Sequence, residues 1–315
     1  MREPIQIRMG GYGPPSTTFS RAMREVGDRL AARFGDRIDI KYVWNVMDLG
    51  YRTEDMWDLV QQGVLTLAYQ STSGLSDRVP ALGIADLPFL FADETAARAA
   101  IDGSLGAYLA ATMEAAMNYR IFGFFENGFR HVSNCHRAVR MPADLAGMKV
   151  RTLQSQIHAR AFELLGATPT PVSLSDLPGA LQRRDVDAQE NPLANTVTYG
   201  AHKFHRYHTL TNHFYVSRAV FAHRPSVDAW PDDLRQAVHQ AVREVSLLQR
   251  TWAEDEEKHA GRAIEEAGGE LIALGDEGRR AFQNAVRPIY REAHAQFGDA
   301  VFHVLGRDLL PAAAG

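Results

Sequence analysis

Residues 5–44 read IQIRMGGYGPPSTTFSRAMREVGDRLAARFGDRIDIKYVW, and they set the pattern for the rest of the chain. "IQIRM" (5–9) alternates apolar and polar side chains as a half-buried strand does. Phe19, Ala22, Met23, Val26 and Leu30 then recur at helical spacing, and "IDIKYVW" (38–44) returns to strand composition. Working outward, Thr53 begins a helix that stops at Gly63, and "VLTLAY" (64–69) follows it. The order β-α-β-α-β predicts an α/β protein with a parallel sheet, whose ligands sit beyond the carboxyl ends of the strands. The loops at 10–16, 44–50 and 69–74 are therefore expected at a site.

Bulk properties narrow the function class. The 315 residues are enough for two ordinary domains, and 45% apolar composition can fill their cores. A formal charge of -4, with both signs mixed along the chain, argues against nucleic acid or an anionic membrane as partner. No apolar run approaches the roughly 18 to 20 residues that span a bilayer. With a strand pattern already begun at Ile5, the sequence shows no signal peptide, as a mature exported form would not. The single Cys135 excludes an internal disulfide. Of 34 cationic side chains only Lys41, Lys149, Lys203 and Lys258 are lysines, so most of the arginines carry no individual message.

After "ADLPFLF" (85–91) come helices near 93–119 and the strand "IFGFF" (121–125). A second cycle starts at "MKVRTL", which leads into a helix from about Ser155 to Leu165 closed by Gly166. "TPTPVS" is extended, a short helix runs from Asp176, and "VDAQE" is strand-like. "FYVSRAVFA" (214–222) is a long extended run. Leu234, Val238, Val242, Val245, Leu248 and Trp252 then share one side of a helical pattern from Asp232 to about Gly268. That length exceeds an ordinary globular helix and predicts one helix serving both domains. "ELIAL" and a helix through Tyr290 close the fold. With no repeat or low-complexity linker, the domain crossings must be extended chain, which suits a hinge.

Several motifs bear on chemistry. "GGYGPPS" (10–16) is similar to a dinucleotide loop, but Ser16 replaces the third glycine, and Pro14 and Pro15 remove N–H donors that would cradle a pyrophosphate. A smaller ligand is the better expectation, and no cofactor is implied. "HKFHRYH" (202–208), with His213 nearby, lacks a metal-ligand pattern and reads as solvated histidines. No G-x-S-x-G elbow is present, and Cys135 has no catalytic signature. "DVDAQENPLANTVTYG" (185–200) concentrates Gln189, Glu190 and Asn191 at the end of a short strand that Pro192 breaks. Arg151 in "GMKVRTLQS" (147–155) and Arg130 in "ENGFRHVSN" (126–134) place guanidinium groups at what read as strand ends. A guanidinium fork meets a carboxylate bidentately and an asparagine amide can donate beside it, so these residues suit an anion clamp. Surface salt bridges and a capped turn are the plainer readings of the same residues.

The segments "ADLPFLFAD" (85–93), "ENGFRHVSN", "DLAGMKVRTLQS" (144–155), "LLGATPTPVSLSDLPGALQRRDVDAQENPLANT" (164–196) and "HTLTNHFYVSRAVF" (208–221) together resemble the substrate-binding proteins of tripartite ATP-independent periplasmic (TRAP) transporters, of the dicarboxylate-binding type. The resemblance runs over nearly the whole chain. It implies a two-lobe periplasmic-binding-protein-like α/β fold with hinge strands and a long helix spanning both lobes. It also implies a monomeric periplasmic protein that closes on an organic acid and delivers it to a membrane permease. Lobe I would comprise 1–127 and 217–254, lobe II 128–216 and 255–315, with the ligand cleft between them. In such proteins the "K-V-R" arginine, here Arg151, bridges the carboxylate. Arg130 assists, Asn191 contacts the same group, and Glu190 and Gln154 stand beside them.

The chain departs from the family pattern where "GGYGPPSTT" is rich in glycine and proline and where "WNVMDLGYRTEDM" replaces "P-x-x-Q-L-G". Those loops face the far end of the ligand, where Tyr12, Trp44, Tyr69, Gln70 and Phe214 are expected to contribute. Their aromatic content suggests a partly apolar or ring-bearing acid rather than a small dicarboxylate. The rival from another class is a lyase or isomerase acting on an organic acid with Glu190 as general base. A ligand sensor without a permease would share the same site.

Overall fold

The computed structural model describes residues 3–305. Nine strands carry the fold: β1 Ile5–Gly10, β2 Ile38–Val43, β3 Leu67–Ser71, β4 Tyr119–Asn134, β5 Lys149–Thr152, β6 Thr168–Pro171, β7 Ala188–Asn191, β8 Tyr207–His223 and β9 Glu270–Ala273. The chain packs as two units. Unit 1 is Met1–Thr72, Gly106–Glu126 and Ser217–Glu254, and unit 2 is Ser73–Leu105, Asn127–Val216 and Asp255–Gly315. Residues 1–2 and 306–315, assigned from sequence to the two lobes, lie outside the described residues.

In unit 1 the strands run in the order β2-β1-β3-β8. β1 pairs parallel with β2 and β3, as the crossover helices demand, whereas β3 and β8 are antiparallel. Thr17 caps the first helix, Thr18–Phe34, by accepting from the Ser20 amide, and that helix buries Phe19, Ala22, Met23, Val26 and Leu30. In unit 2 the order is β4-β7-β5-β6, with β5 parallel to both neighbours and β9 alongside β8. β4, β8 and the 35-residue helix Asp232–Glu266 each run through both units.

Two expectations change. Residues 73–105, placed from sequence in the first lobe, pack in unit 2. There Ser73 donates to Asp86 at 2.6 Å, the Phe89 amide to the His213 carbonyl at 2.8 Å, and the Tyr290 hydroxyl to the Pro88 carbonyl at 2.8 Å. Arg130 does not end a strand. "IFGFF" and "ENGFRHVSN" belong to a single 16-residue strand, β4, and Arg130 sits in its interior. Gly123 and Gly128, at positive φ, interrupt the apolar pattern without ending the strand, which is why it read as shorter.

Candidate functional site

Arg151 lies at the carboxyl end of β5, opposite Gln189 of β7, and is 2% exposed. Its Nε donates to the Val172 carbonyl at 2.9 Å, which fixes the plane of the guanidinium. Asn191 ends β7 in a line of amides. Its Nδ2 donates to Gln189 Oε1 at 3.2 Å, and its Oδ1 accepts from Asn195 Nδ2, also at 3.2 Å. Alternation along the strands puts Arg151, Gln189 and Asn191 on one face of the sheet and Arg130 with Glu190 on the other. Gln154, half-buried, follows β5.

Glu190 sits at the centre of a buried charge network. Arg130 donates to its carboxylate through Nε and, at 3.0 Å, through Nη2, which also meets the Glu190 carbonyl at 2.6 Å. His158 and His213 each approach the same carboxylate at 3.7 Å, and His158 also stands 3.7 Å from Asp86. Asp86 accepts from Ser73 and from Ser155 at 2.8 Å. Phe214 stacks on the His158 ring at 3.8 Å and 3°. Burial favours the neutral acid, but Arg130 first and the histidines next hold the Glu190 pKa well below the carboxylate range. Burial also works against a charged His158, yet Asp86 and Glu190 more than offset it and raise its pKa. Arg130 therefore offers a ligand less than expected: among the described residues Nη1 is its one guanidinium nitrogen with no protein acceptor. A carboxylate held by a bidentate arginine is also a poor general base.

The far-end residues all belong to unit 1 except Phe214. Tyr12, Phe19 and Tyr69 pack ring against ring with centroids 5.1–5.8 Å apart. Tyr69 Oη meets Ser20 Oγ at 3.0 Å and the Tyr12 amide at 3.3 Å. A Cβ on Gly11 would come within 2.5 Å of Tyr69 Oη, and one on Gly13 within 2.4 Å of Phe19, so tight packing demands the glycines of this loop. Trp44, half-buried, stacks on Tyr42 at 4.3 Å and 9°. Gln70 donates to the Thr53 carbonyl at 2.5 Å and accepts from the Ser71 amide, which spends its amide on the backbone. The aromatic rings are thus largely core, and they argue less for a ring-bearing acid than their number suggested.

The histidines of 202–208 were expected in solvent, but His205 and His208 are buried. His205 Nδ1 lies 2.9 Å from Ser133 Oγ, and His208 Nε2 lies 3.0 Å from the His205 carbonyl. No group of three metal-ligating side chains occurs among the described residues. Burial lowers the pKa of His205 to about 3 and of His208 to about 4. Folded pKa values below the unfolded 6.5 give stability that is present above pH 6.5 and is lost as pH falls toward them. Between pH 6.5 and 5.5 the pair should cost about 2 kcal/mol of stability. Urea melts across that range check this, and the slope should flatten in His205→Asn.

Sequence reasoning passed over His158, Asp86 and Arg218, and it read His213 as solvated although it is buried. For Arg218 a signal existed: it is a lone charge in the apolar run "FYVSRAVFA", the same kind of interruption that drew attention to Arg151. For His158 and Asp86 none did, because the two carboxylates that give His158 its role are 72 and 32 residues from it in the chain.

Comparisons with known proteins agree with this architecture. A solute-binding protein of Verminephrobacter eiseniae is 32% identical over 268 residues, which cover 85% of this chain and 78% of that one. The 2,3-diketo-L-gulonate-binding periplasmic protein YiaO of Escherichia coli is 30% identical over 229 residues, covering 72% and 68%. The crystal structure of the sugar acid binding protein DctPAm of Advenella mimigardefordensis, in complex with galactonate, superposes with a TM-score of 0.91 at 26% identity over 98% of each chain. Its neighbours share the two-lobe α/β fold with long helix and hinge strands, and the family's activity is binding, not catalysis. The family model for bacterial extracellular solute-binding proteins, family 7, matches residues 9–296, and the chain belongs to that family, DctP, whose members capture small organic acids for TRAP transporters.

Proposed function

We propose that the solute is a hydroxylated carboxylic acid of the sugar-acid class, held through its carboxylate by Arg151. The observation that carries this reading is a guanidinium 2% exposed at the carboxyl end of β5, with Nε anchored to a backbone carbonyl and the amides of Gln189 and Asn191 on the same face. An anchored planar fork loses little freedom on meeting a carboxylate and binds it in one orientation. Asn191 assists, and Arg130, on the other face of the sheet, supports the site by holding Glu190. Gln154 and Trp44 contact the remainder of the ligand, while Tyr12, Tyr69, Gln70 and Phe214 hold the surrounding walls. The solutes named for two relatives, galactonate and 2,3-diketo-L-gulonate, are both hydroxylated six-carbon acids and support this class. In this reading units 1 and 2 are the two lobes, the protein works in the periplasm as a monomer, and a TRAP permease receives the acid.

A thermal-shift panel tests the class. Sugar acids of four to six carbons should raise the melting temperature, because ligand that binds only the folded chain stabilises it by mass action. Their neutral counterparts, such as galactitol, should not. A rise with the neutral polyols alone would overturn the carboxylate reading.

A further inference from the structure

The amides of Gln189 and Asn191 belong to a longer hydrogen-bonded chain that runs in one direction, and every member of it lies in unit 2. Thr196, in the short helix Leu193–Thr198, is 1% exposed, and its hydroxyl donates to the Pro192 carbonyl at 3.0 Å. A carbonyl only accepts, so the one hydroxyl proton is committed there, and toward any other neighbour Thr196 Oγ1 must accept. Gln189 meets it with Nε2 at 3.0 Å. That turns Gln189 Oε1 toward Asn191, whose Nδ2 donates to it at 3.2 Å. Asn191 Oδ1 then accepts from Asn195 Nδ2 at 3.2 Å, and the same nitrogen donates onward to Asn127 Oδ1 at 3.0 Å. The second hydrogen of Asn191 Nδ2 meets no acceptor among the described residues.

The direction matters because an amide fits such a chain either way round. Reversed, Thr196 would donate to Gln189 Oε1, Gln189 Nε2 to Asn191 Oδ1, and Asn191 Nδ2 to Asn195, with every link still made. The group of Asn191 that now carries an unused hydrogen would then be a carbonyl oxygen with an unused lone pair, which repels a carboxylate. In a buried site the difference between a donor and an acceptor facing an anion is large. Neither Gln189 nor Asn191 chooses between the two directions; the Pro192 carbonyl does, through Thr196. The helix that carries Thr196 is itself fixed, since Glu257 accepts from the Leu193 and Ala194 amides at 2.8 and 2.9 Å.

We propose that Thr196 and Gln189 are positioning residues for carboxylate capture: they hold the Asn191 amide with its N–H toward the ligand and so make that position select an anion. This rests on the reading that Arg151 holds the ligand carboxylate with Asn191 beside it.

Galactonate, gluconate and threonate are the probes, and calorimetry follows the tightest of them. Thr196→Val keeps the shape of the side chain but removes the acceptor that orients Gln189, and it should weaken binding at least about tenfold. Thr196→Ser keeps the hydroxyl and should restore affinity to within about threefold of the unmodified protein. In an Asn191→Ala background no amide is left to orient, so Thr196→Val should change affinity there by less than about threefold. A smaller loss in Thr196→Val alone overturns the inference, as does a serine variant that binds as weakly as valine. A loss that persists undiminished in the Asn191→Ala background also overturns it, because Thr196 would then be structural. Side-chain amide NMR signals of the unmodified protein, assigned by their absence in Asn191→Ala, supply a reading that stands even if Thr196→Val folds poorly. Saturating acid should move an Asn191 amide proton downfield, and an unmoved signal overturns the proposal while leaving Arg151 in place. If none of the three acids binds, or Arg151→Ala binds as tightly as the unmodified protein, the Arg151 reading falls and this one with it.

Discussion

Glu190→Gln should destabilise the folded protein by about 3–5 kcal/mol, the cost of leaving a buried charge without its partner. The substitution keeps size and an acceptor oxygen, but the Arg130 guanidinium, 1% exposed, would face a neutral amide. His158 would lose one of the two carboxylates that keep it charged. The pH dependence separates this from simple misfit. Glu190, with its pKa depressed, contributes stability present above the unfolded carboxylate pKa of 4.5 and lost as pH falls through the folded value. His158, with its pKa raised, contributes stability present below 6.5 and lost as pH rises through its folded value. Both contributions are whole between those limits, so the deficit of Glu190→Gln should be greatest near pH 5 to 6 and should narrow on either side. Urea unfolding of both proteins over that range measures it, and a deficit under about 1 kcal/mol would show that the pairing contributes little.

The same residue shows how far the sequence could be read. "VDAQENP" located a strand end rich in polar groups, since period-two alternation and a following proline are local signals. Which groups would satisfy one another was not local. Glu190 is opposite Val132 across β4 and β7, and that register brings Arg130 to it from 60 residues away. Arg130 therefore read as a ligand contact when most of its donors serve the fold. The buried histidines were missed for a similar reason. "HKFHRYH" has the composition of a solvated turn, but His208 lies in β8, which is largely buried, and His205 is covered just before it. The alternation of strands and helices in 5–71 was legible because each element carries its own period and caps. The packing of 73–105 with unit 2 depends on Asp86 meeting Ser155 and His158, contacts that no local pattern announces.

Arg151→Ala should reduce affinity for the bound acid by about 2–5 kcal/mol while leaving the unliganded protein close to its original stability. The loss is large because the ligand carboxylate would be desolvated with no cation to meet it, a cost beyond that of the missing contact. The modest effect on the free protein follows from the surroundings. Glu190 is neutralised by Arg130 and His158, so removing Arg151 does not strip that carboxylate of its partners. The bond it gives up to the Val172 carbonyl is a neutral interaction worth about 1 kcal/mol. Arg151→Lys gives the finer discrimination. Lysine restores a charge but not the planar fork, and its ammonium cannot both hold Val172 and meet two carboxylate oxygens in the same plane. Calorimetry with an acid found by the panel should therefore place Lys between Ala and Arg, nearer Ala. If Lys matched Arg, a point charge would suffice and the bidentate geometry would be irrelevant. If Ala matched Arg, the carboxylate would lie elsewhere.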